Sequence, residues 1–320
     1  MIPKIIHQTW KTEEIPPPWQ PLVLSWRDMH PDWDYRLWTN ETGYDFVAQV
    51  YPDFLPFYES FSYDIQRADA LRYLVLHHFG GLYADLDFEC LQCFDSLLDL
   101  APAIFAWEPR QHAHDFGLSQ LLGNALMLSI PGHPFLATII QHLQANPTSA
   151  VSHNDVLVTT GPIMVDRVRQ AYRGNDLSML PSEVFYALAS RSGELRMLQQ
   201  NAPEASQIKQ QLLTSGSYAI HYWSNSWVHN LTGHPLHNPC PHNIPGYTFF
   251  PGLNSLGADL CNGGRDISQL AKTCSATEGG VAFNTDGFVK SRLLPREQWN
   301  TLPNPNGNEG LYVKDVSSEE

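Results

Sequence analysis

Positive charge is scarce in this chain. Nineteen lysines and arginines stand against 33 aspartates and glutamates, a formal charge of −14. That balance argues against a nucleic acid or an anionic membrane surface as partner. It suits a protein whose local negative charge recruits a divalent cation, although solubility accounts for most of such an excess. Cysteine is sparse too, five in 320 residues. Cys90 and Cys93 form one C-x-x-C without a second pair at zinc spacing, and no thioredoxin-like strand-to-helix setting surrounds them. They are expected to be core thiols. No apolar run approaches a membrane span, and the chain opens on a strand pattern rather than a basic start and an apolar core. Internal repeats and low-complexity tracts are also missing.

What is present suffices for one large domain and a small one. Residues 2–7 are apolar and β-branched, which suits a first buried parallel strand. Pro16-Pro17-Pro18 forces an extended loop. Next come a short helix over Pro21 to Met29, a strand over Tyr35 to Trp38 and a helical stretch from Thr42. Ser62 is the candidate cap of a long helix that stops at Gly80-Gly81. Further strands are expected over Ala103 to Trp107, Gly123 to Ser129 and residues 179–186, with helices from Pro134 and Pro162. The alternation implies a parallel-centred α/β sheet, whose ligands sit at the carboxyl ends of its strands. Trp10 and Asp85 to Asp87 lie at such ends and are expected to share a cleft.

Asp85 and Asp87 are two residues apart in a strand pattern that begins at Gly81. On one strand they face the same way, with Tyr83 beside them and Leu82, Ala84 and Leu86 turned to the core. Two adjacent carboxylates repel, and one is driven neutral unless a cation sits between them. Carboxylate oxygens at a strand end suit Mg²⁺ or Mn²⁺, which recruit phosphates as further ligands. The plain alternative is a solvated strand edge. Asp69 and Arg72, three apart, share a helix face, where a structural ion pair is the plain reading.

Several motifs in one order carry a resemblance. Ile2-Pro3-Lys4-Ile5-Ile6-His7-Gln8-Thr9-Trp10 comes first, then Asp69-x-x-Arg72-Tyr73, then Gly80-Gly81-x-Tyr83-x-Asp85-x-Asp87. Together they resemble glycosyltransferase family 32, the DXD sugar-binding glycosyltransferases, over roughly residues 1 to 230. The resemblance implies an α/β fold: a GT-A-type nucleotide-sugar domain with a mixed, mostly parallel sheet, and after it a small C-terminal α+β region. It implies a metal-dependent, retaining hexosyltransferase. The donor would be a nucleotide-diphosphate sugar carrying mannose, glucose, galactose or N-acetylglucosamine, and the acceptor a glycan, lipid or protein. Mn²⁺ or Mg²⁺ would be held by Asp85 and Asp87, with His221 completing the shell. Trp10 would stack on the nucleotide base, with Gln8, Thr9 and Tyr83 beside it. Asp69 and Arg72 would bond donor-sugar hydroxyls, and Asn124 would line the sugar site. Ser226 and Trp227 would belong to a lid over the diphosphate, with Ser224 or Ser226 adding a hydroxyl. For Trp10 and His221 the plain readings are a core cap and a packed histidine.

Two rival readings stay open. One is a glycan-binding protein on an inactive transferase fold. The other is an Asp-x-Asp phosphatase, although Glu89 stands where that class carries Thr or Val. The expected layout is a catalytic domain over 1–228, a His-, Pro- and Asn-rich linker over 229–246, an accessory region over 247–313 and a tail over 314–320. In the accessory region, Tyr247 to Pro251, Cys261, Cys274 and Val281 to Asp286 resemble apple/PAN modules. A family-specific extension is the alternative. Cys261 and Cys274 could pair in an oxidising compartment. The expected site of action is the cytoplasm, or a Golgi lumen for a chain trimmed of an anchor.

Overall fold

A computed structural model describes residues 1–146, 153–224, 246–251, 253–255, 259–262, 267–284, 288–301 and 310–315. The chain divides into two compact units, Met1–Leu231 and Thr232–Glu320. Most of the expected linker and the last five residues lie outside the described residues.

The first unit runs β1 (Ile5–Thr9), α1 (Gln20–Met29), β2 (Asp34–Trp38), α2 (Asn40–Val50), α3 (Leu55–Ser60), α4 (Asp64–Phe79), β3 (Gly81–Ala84) and β4 (Phe88–Cys90). It continues through β5 (Ala103–Ala106), α5 (Arg110–Asp115), β6 (Leu126–Ser129), α6 (Pro134–Ala145), α7 (His153–Thr159), α8 (Pro162–Ala171) and β7 (Leu177–Leu180). It closes with α9 (Ser182–Phe185), α10 (Gly193–Gln199), α11 (Ala205–Thr214) and β8 (Ala219–His221). Six strands form one sheet in the order β2-β1-β3-β6-β5-β7. Only β6 runs against the others. This is the mixed, mostly parallel sheet of an α/β fold.

Both faces of that sheet are covered. Tyr83, Phe105 and Met127 point into one apolar cluster with α4, α6 and α8. Leu82, Ala84, Ile104, Leu126 and Leu128 point into a second, with Trp26 of α1, Phe88 and Phe185. Double coverage explains why these strands read as apolar runs rather than alternating ones. Helix α4 lies beneath the site and is buried on most of its circumference. It stops at Gly80, whose φ is +66° and whose N–H bonds the Leu76 carbonyl at 2.9 Å. Gly81 then has φ +98°, and a Cβ there would lie 2.5 Å from the Ile5 carbonyl oxygen. Only glycine lets β3 start this close to β1.

The described structure corrects some expectations. Tyr63, not Ser62, is the N-cap residue of α4, and Gln66 Oε1 accepts from its backbone N–H at 3.3 Å. Residues 179–186 are not one strand: β7 ends at Leu180 and α9 begins at Ser182, because Pro181 offers no ladder donor. β6 begins only at Leu126, since Gly123 bonds the Ala106 carbonyl and Ala125 accepts from Asp85. Cys90 is buried as expected, whereas Cys93 is exposed.

The second unit holds a five-stranded antiparallel sheet in the order β11-β13-β12-β15-β9. Its strands are β9 (Tyr247–Pro251), β11 (Asp259–Asn262), β12 (Ala282–Asn284), β13 (Phe288–Lys290) and β15 (Gly310–Lys314). The short strands β10 (Leu253–Asn254) and β14 (Asn300–Thr301) pair apart from it. Helix α12 (Ile267–Ala276) supplies Leu270 and Cys274 to a core with Tyr247, Phe283, Val289 and Tyr312. This is the small C-terminal α+β region. The side chain of Cys261 lies outside the described residues, and its expected pairing with Cys274 lies there too. Among the described residues, no helix is long and apolar enough to cross a membrane.

Candidate active site

The two acids do not share a strand face. β3 ends at Ala84, and Asp85, Leu86 and Asp87 form the connection to β4. The cause is that β4 leaves the main sheet to pair antiparallel with β8, so the chain must bend between two ladders. The Phe88 N–H closes the bend on the Asp85 carbonyl at 3.2 Å. The acids therefore sit beyond the carboxyl end of β3, beside the end of the parallel strand β1.

Asp87 meets the strand that sequence separation hides. Phe88 pairs with His221 across β4 and β8. This brings His221 Nε2 to 3.1 Å from Asp87 Oδ1, while the Ser224 backbone N–H donates to Asp87 Oδ2 at 2.8 Å. Burial alone would raise the Asp87 pKa, but His221 and the Ser224 bonds outweigh it and hold it below the usual value. Asp85 behaves oppositely. Its Oδ1 accepts from the Tyr83 hydroxyl at 2.7 Å and lies 3.4 Å from Arg72 Nη2. Burial raises its pKa against the pull of Arg72, and the charge of Asp87 adds to the rise. Of the two repelling carboxylates, Asp85 is thus the one pushed toward neutrality.

Beneath Asp85 lies a buried polar frame. Arg72 Nη2 is 2.9 Å from Asp69 Oδ1, and Nη1 donates to the Asn124 carbonyl at 2.9 Å. Asp69 also accepts from Thr160 Oγ1 at 2.8 Å and from Asn124 Nδ2 at 3.3 Å. Asp69 and Arg72 are only 4% and 3% exposed, and burial lifts the Asp69 pKa to about 6. The pair is therefore a structural ion pair whose arginine also holds Asp85. Asn124 completes the frame through its 2.7 Å bond to the Tyr73 hydroxyl.

Gln8 and Tyr83 are fully buried. Gln8 Nε2 donates to the Asp85 carbonyl at 3.3 Å, and Thr9 Oγ1 lies 2.9 Å from the Tyr83 hydroxyl. The structure places these two beneath Asp85 rather than on an open nucleotide surface, with Thr9 bonded to Tyr83. Trp10 is partly exposed, with Trp19 packed edge-on at 4.5 Å. Ser226 and Trp227 lie outside the described residues.

One ligand atom each from Asp85, Asp87 and His221 falls within 4.8 Å of the others. Two carboxylate oxygens and an imidazole nitrogen are a donor set that Mn²⁺ accepts well and Mg²⁺ tolerates. The residues fit a divalent ion.

Residues 16–102 match the family model described as a glycosyltransferase sugar-binding region containing a DXD motif. Over 235 residues the chain is 36% identical to inositol phosphoceramide mannosyltransferase 2 of Schizosaccharomyces pombe, covering 73% of this chain and 60% of that protein. The chain carries the sugar-binding DXD region of these glycosyltransferases. It is also 37% identical over 174 residues to a mannosyl phosphorylinositol ceramide synthase of Saccharomyces cerevisiae, covering 54% of this chain and 43% of that one. The chain thus spans about half the length of the curated relatives it matches. A solved structure, PaToxG glycosyltransferase, is 16% identical over 67% of this chain and 79% of that chain, with a TM-score of 0.37, too low to argue from. The family members correct one expectation. Glycan, lipid and protein acceptors stood equally open in the sequence, whereas these relatives are named for a lipid, inositol phosphoceramide.

Sequence reasoning about the family motifs missed much of the site's support. Phe88 stacks on His221 at 4.1 Å with a 10° tilt, and Trp223 packs on it at 3.9 Å. Tyr186 touches both Phe88 and Trp223. His112, bonded to Glu108 at 2.9 Å, meets the Trp223 ring edge-on at 4.4 Å. Ser224, one of two candidate hydroxyls, reaches Asp87 through its backbone N–H at 2.8 Å and through its side chain as well. No periodicity marks these contacts, and those of Phe88 with His221, Phe88 with Tyr186, His112 with Trp223 and Asp87 with Ser224 join segments far apart in the chain.

Proposed function

We propose that the chain is a metal-dependent, retaining mannosyltransferase on a GT-A-type domain. It would move mannose from a nucleotide-diphosphate sugar to the inositol headgroup of a phosphoceramide lipid. The convergence of Asp85, Asp87 and His221 at the carboxyl edge of the sheet carries the reading. The names of the relatives supply the sugar and the acceptor class.

A divalent ion held by Asp85, Asp87 and His221 would balance the charge that develops on a departing nucleoside diphosphate. The chain's own residues prepare for this. The Ser224 N–H fixes one Asp87 oxygen and leaves the other turned to His221 Nε2. Loading the site requires His221 to present that nitrogen without its proton. Arg72 and the Tyr83 hydroxyl hold Asp85 in place.

The motif carboxylates are each engaged by neighbouring donors. Asp69 is buried under three donors, Asp85 is tied to Tyr83 and Arg72, and Asp87 is tied to His221 and Ser224. This supports a front-side displacement. The acceptor hydroxyl attacks the anomeric carbon as the bond to the phosphate oxygen breaks on the same face, and that oxygen takes the proton. The protein's part is then positioning and electrostatics.

The test is a thermal-shift screen of sugar nucleotides with Mn²⁺, and then transfer to inositol phosphoceramide in mixed micelles. GDP-mannose is expected to stabilise most, by about 2.7 kcal/mol at 100 times its Kd, and to yield a mannosylated lipid. A larger shift with another sugar nucleotide would overturn the donor. Glycan binding without metal and without turnover would favour an inactive transferase fold.

A further inference from the structure

A histidine that binds a metal through one ring nitrogen is normally oriented by a hydrogen bond from the other. His221 lacks that device: its Nδ1 is buried and has no partner among the described residues. Something else must fix the ring. Phe88 stacks on it at 4.1 Å, and the Trp223 indole packs on it at 3.9 Å and 38°. The indole is itself held. Its Nε1–H donates to the Leu188 carbonyl at 2.8 Å. His112 meets it edge-on and is in turn fixed between Glu108 and the Ser190 N–H.

The backbone of Trp223 adds a second, independent observation. Its φ is +49°, a left-handed conformation that bulky residues avoid; the other non-glycine case among the described residues is Asn201, a type that tolerates it. Such strain persists where the surroundings over-determine it, and it clusters at functional sites. Here it lies directly before Ser224, whose N–H reaches Asp87.

We propose that Trp223 is a positioning residue: its indole clamps His221 with Nε2 toward Asp87, and its left-handed backbone delivers the Ser224 N–H to the same carboxylate. The inference rests on the metal reading of Asp85, Asp87 and His221.

Two substitutions in the full chain separate ring from backbone. Trp223→Gly keeps the left-handed conformation without the ring, and Trp223→Phe keeps a ring without the N–H. Two readouts are used: the NMR shifts of the His221 ring protons in metal-free protein, and Mn²⁺ affinity by calorimetry. Trp223→Gly is expected to move the His221 signals as the indole ring current is lost, and to weaken Mn²⁺ at least tenfold. Trp223→Phe, which also serves if the glycine variant does not fold, is expected to weaken it about threefold. Unmoved His221 signals, or Mn²⁺ affinity within twofold of wild type in both variants, would overturn the clamp. A wild type that binds no Mn²⁺ even though the His221 signals move would overturn the metal reading, and the positioning role would fall with it.

Discussion

His7 and His221 are both buried imidazoles, and their neighbours give them different work. His7 Nδ1 accepts from the Trp38 indole N–H at 3.0 Å, and its Nε2–H donates to the Gly80 carbonyl at 2.9 Å. Both nitrogens are used, the ring is neutral, and the residue ties β2 to the turn that opens β3. Burial lowers its pKa from 6.5 to about 4. The folded state therefore binds fewer protons than the unfolded state between these values, so stability falls as the pH drops from 6.5 to about 4. The size is about 3 kcal/mol. Urea unfolding of wild type and His7→Gln across this window should show the wild type losing that much more. Parallel curves would mean that His7 is not the buried neutral ring described. At the site itself, Arg72→Lys should lose the fork that joins Asp69, the Asn124 carbonyl and Asp85. Turnover and Mn²⁺-dependent binding of the nucleoside diphosphate should both fall at least tenfold while the fold is kept, because Arg72 holds Asp85. Losses that track a lowered denaturation midpoint would show that Arg72 supports the fold alone.

At the scale of elements, the sequence made the helix-to-strand passage plain and misjudged the segment beyond β3. The double glycine marked the end of α4, and its need is physical: Gly81 passes the Ile5 carbonyl with no room for a Cβ. Gly81→Ala should cost about 3 kcal/mol, since both the positive φ and the contact oppose it. An unchanged denaturation midpoint would contradict that. The spacing of Asp85 and Asp87 was legible, and so was their pairing with His221 through the family motifs. Their backbone was not, because period-two alternation cannot tell a strand from the bend between two sheets. Trp223, His112 and Phe88 were beyond reach for another reason. Their roles come from β4 pairing with β8, a contact spanning more than a hundred residues that no local pattern encodes.

For the whole molecule, a charge of −14 argued against an anionic surface, while relatives in the family are named for a lipid acceptor. Net charge governs bulk attraction; a single headgroup is recognised by local contacts. Every residue placed in the candidate site belongs to the first unit, Met1–Leu231. We propose that the second unit serves acceptor recognition or docking. A chain ending at Leu231 should then hydrolyse sugar nucleotide at close to the normal rate and transfer poorly to the lipid. Loss of folding or of donor binding in that chain would make the second unit structural instead.

In the proposed reaction, Asp85, Asp87 and His221 hold the divalent metal that serves the donor. The most direct measurement is the turnover of GDP-mannose by chelator-stripped protein as Mn²⁺ is added back, for wild type and Asp87→Asn. Wild type should be silent without metal and recover saturably with Mn²⁺, and Asp87→Asn should stay at least a hundredfold lower at every concentration. Full turnover in excess chelator, or an Asp87→Asn rate equal to wild type, would rule out a metal role for these residues.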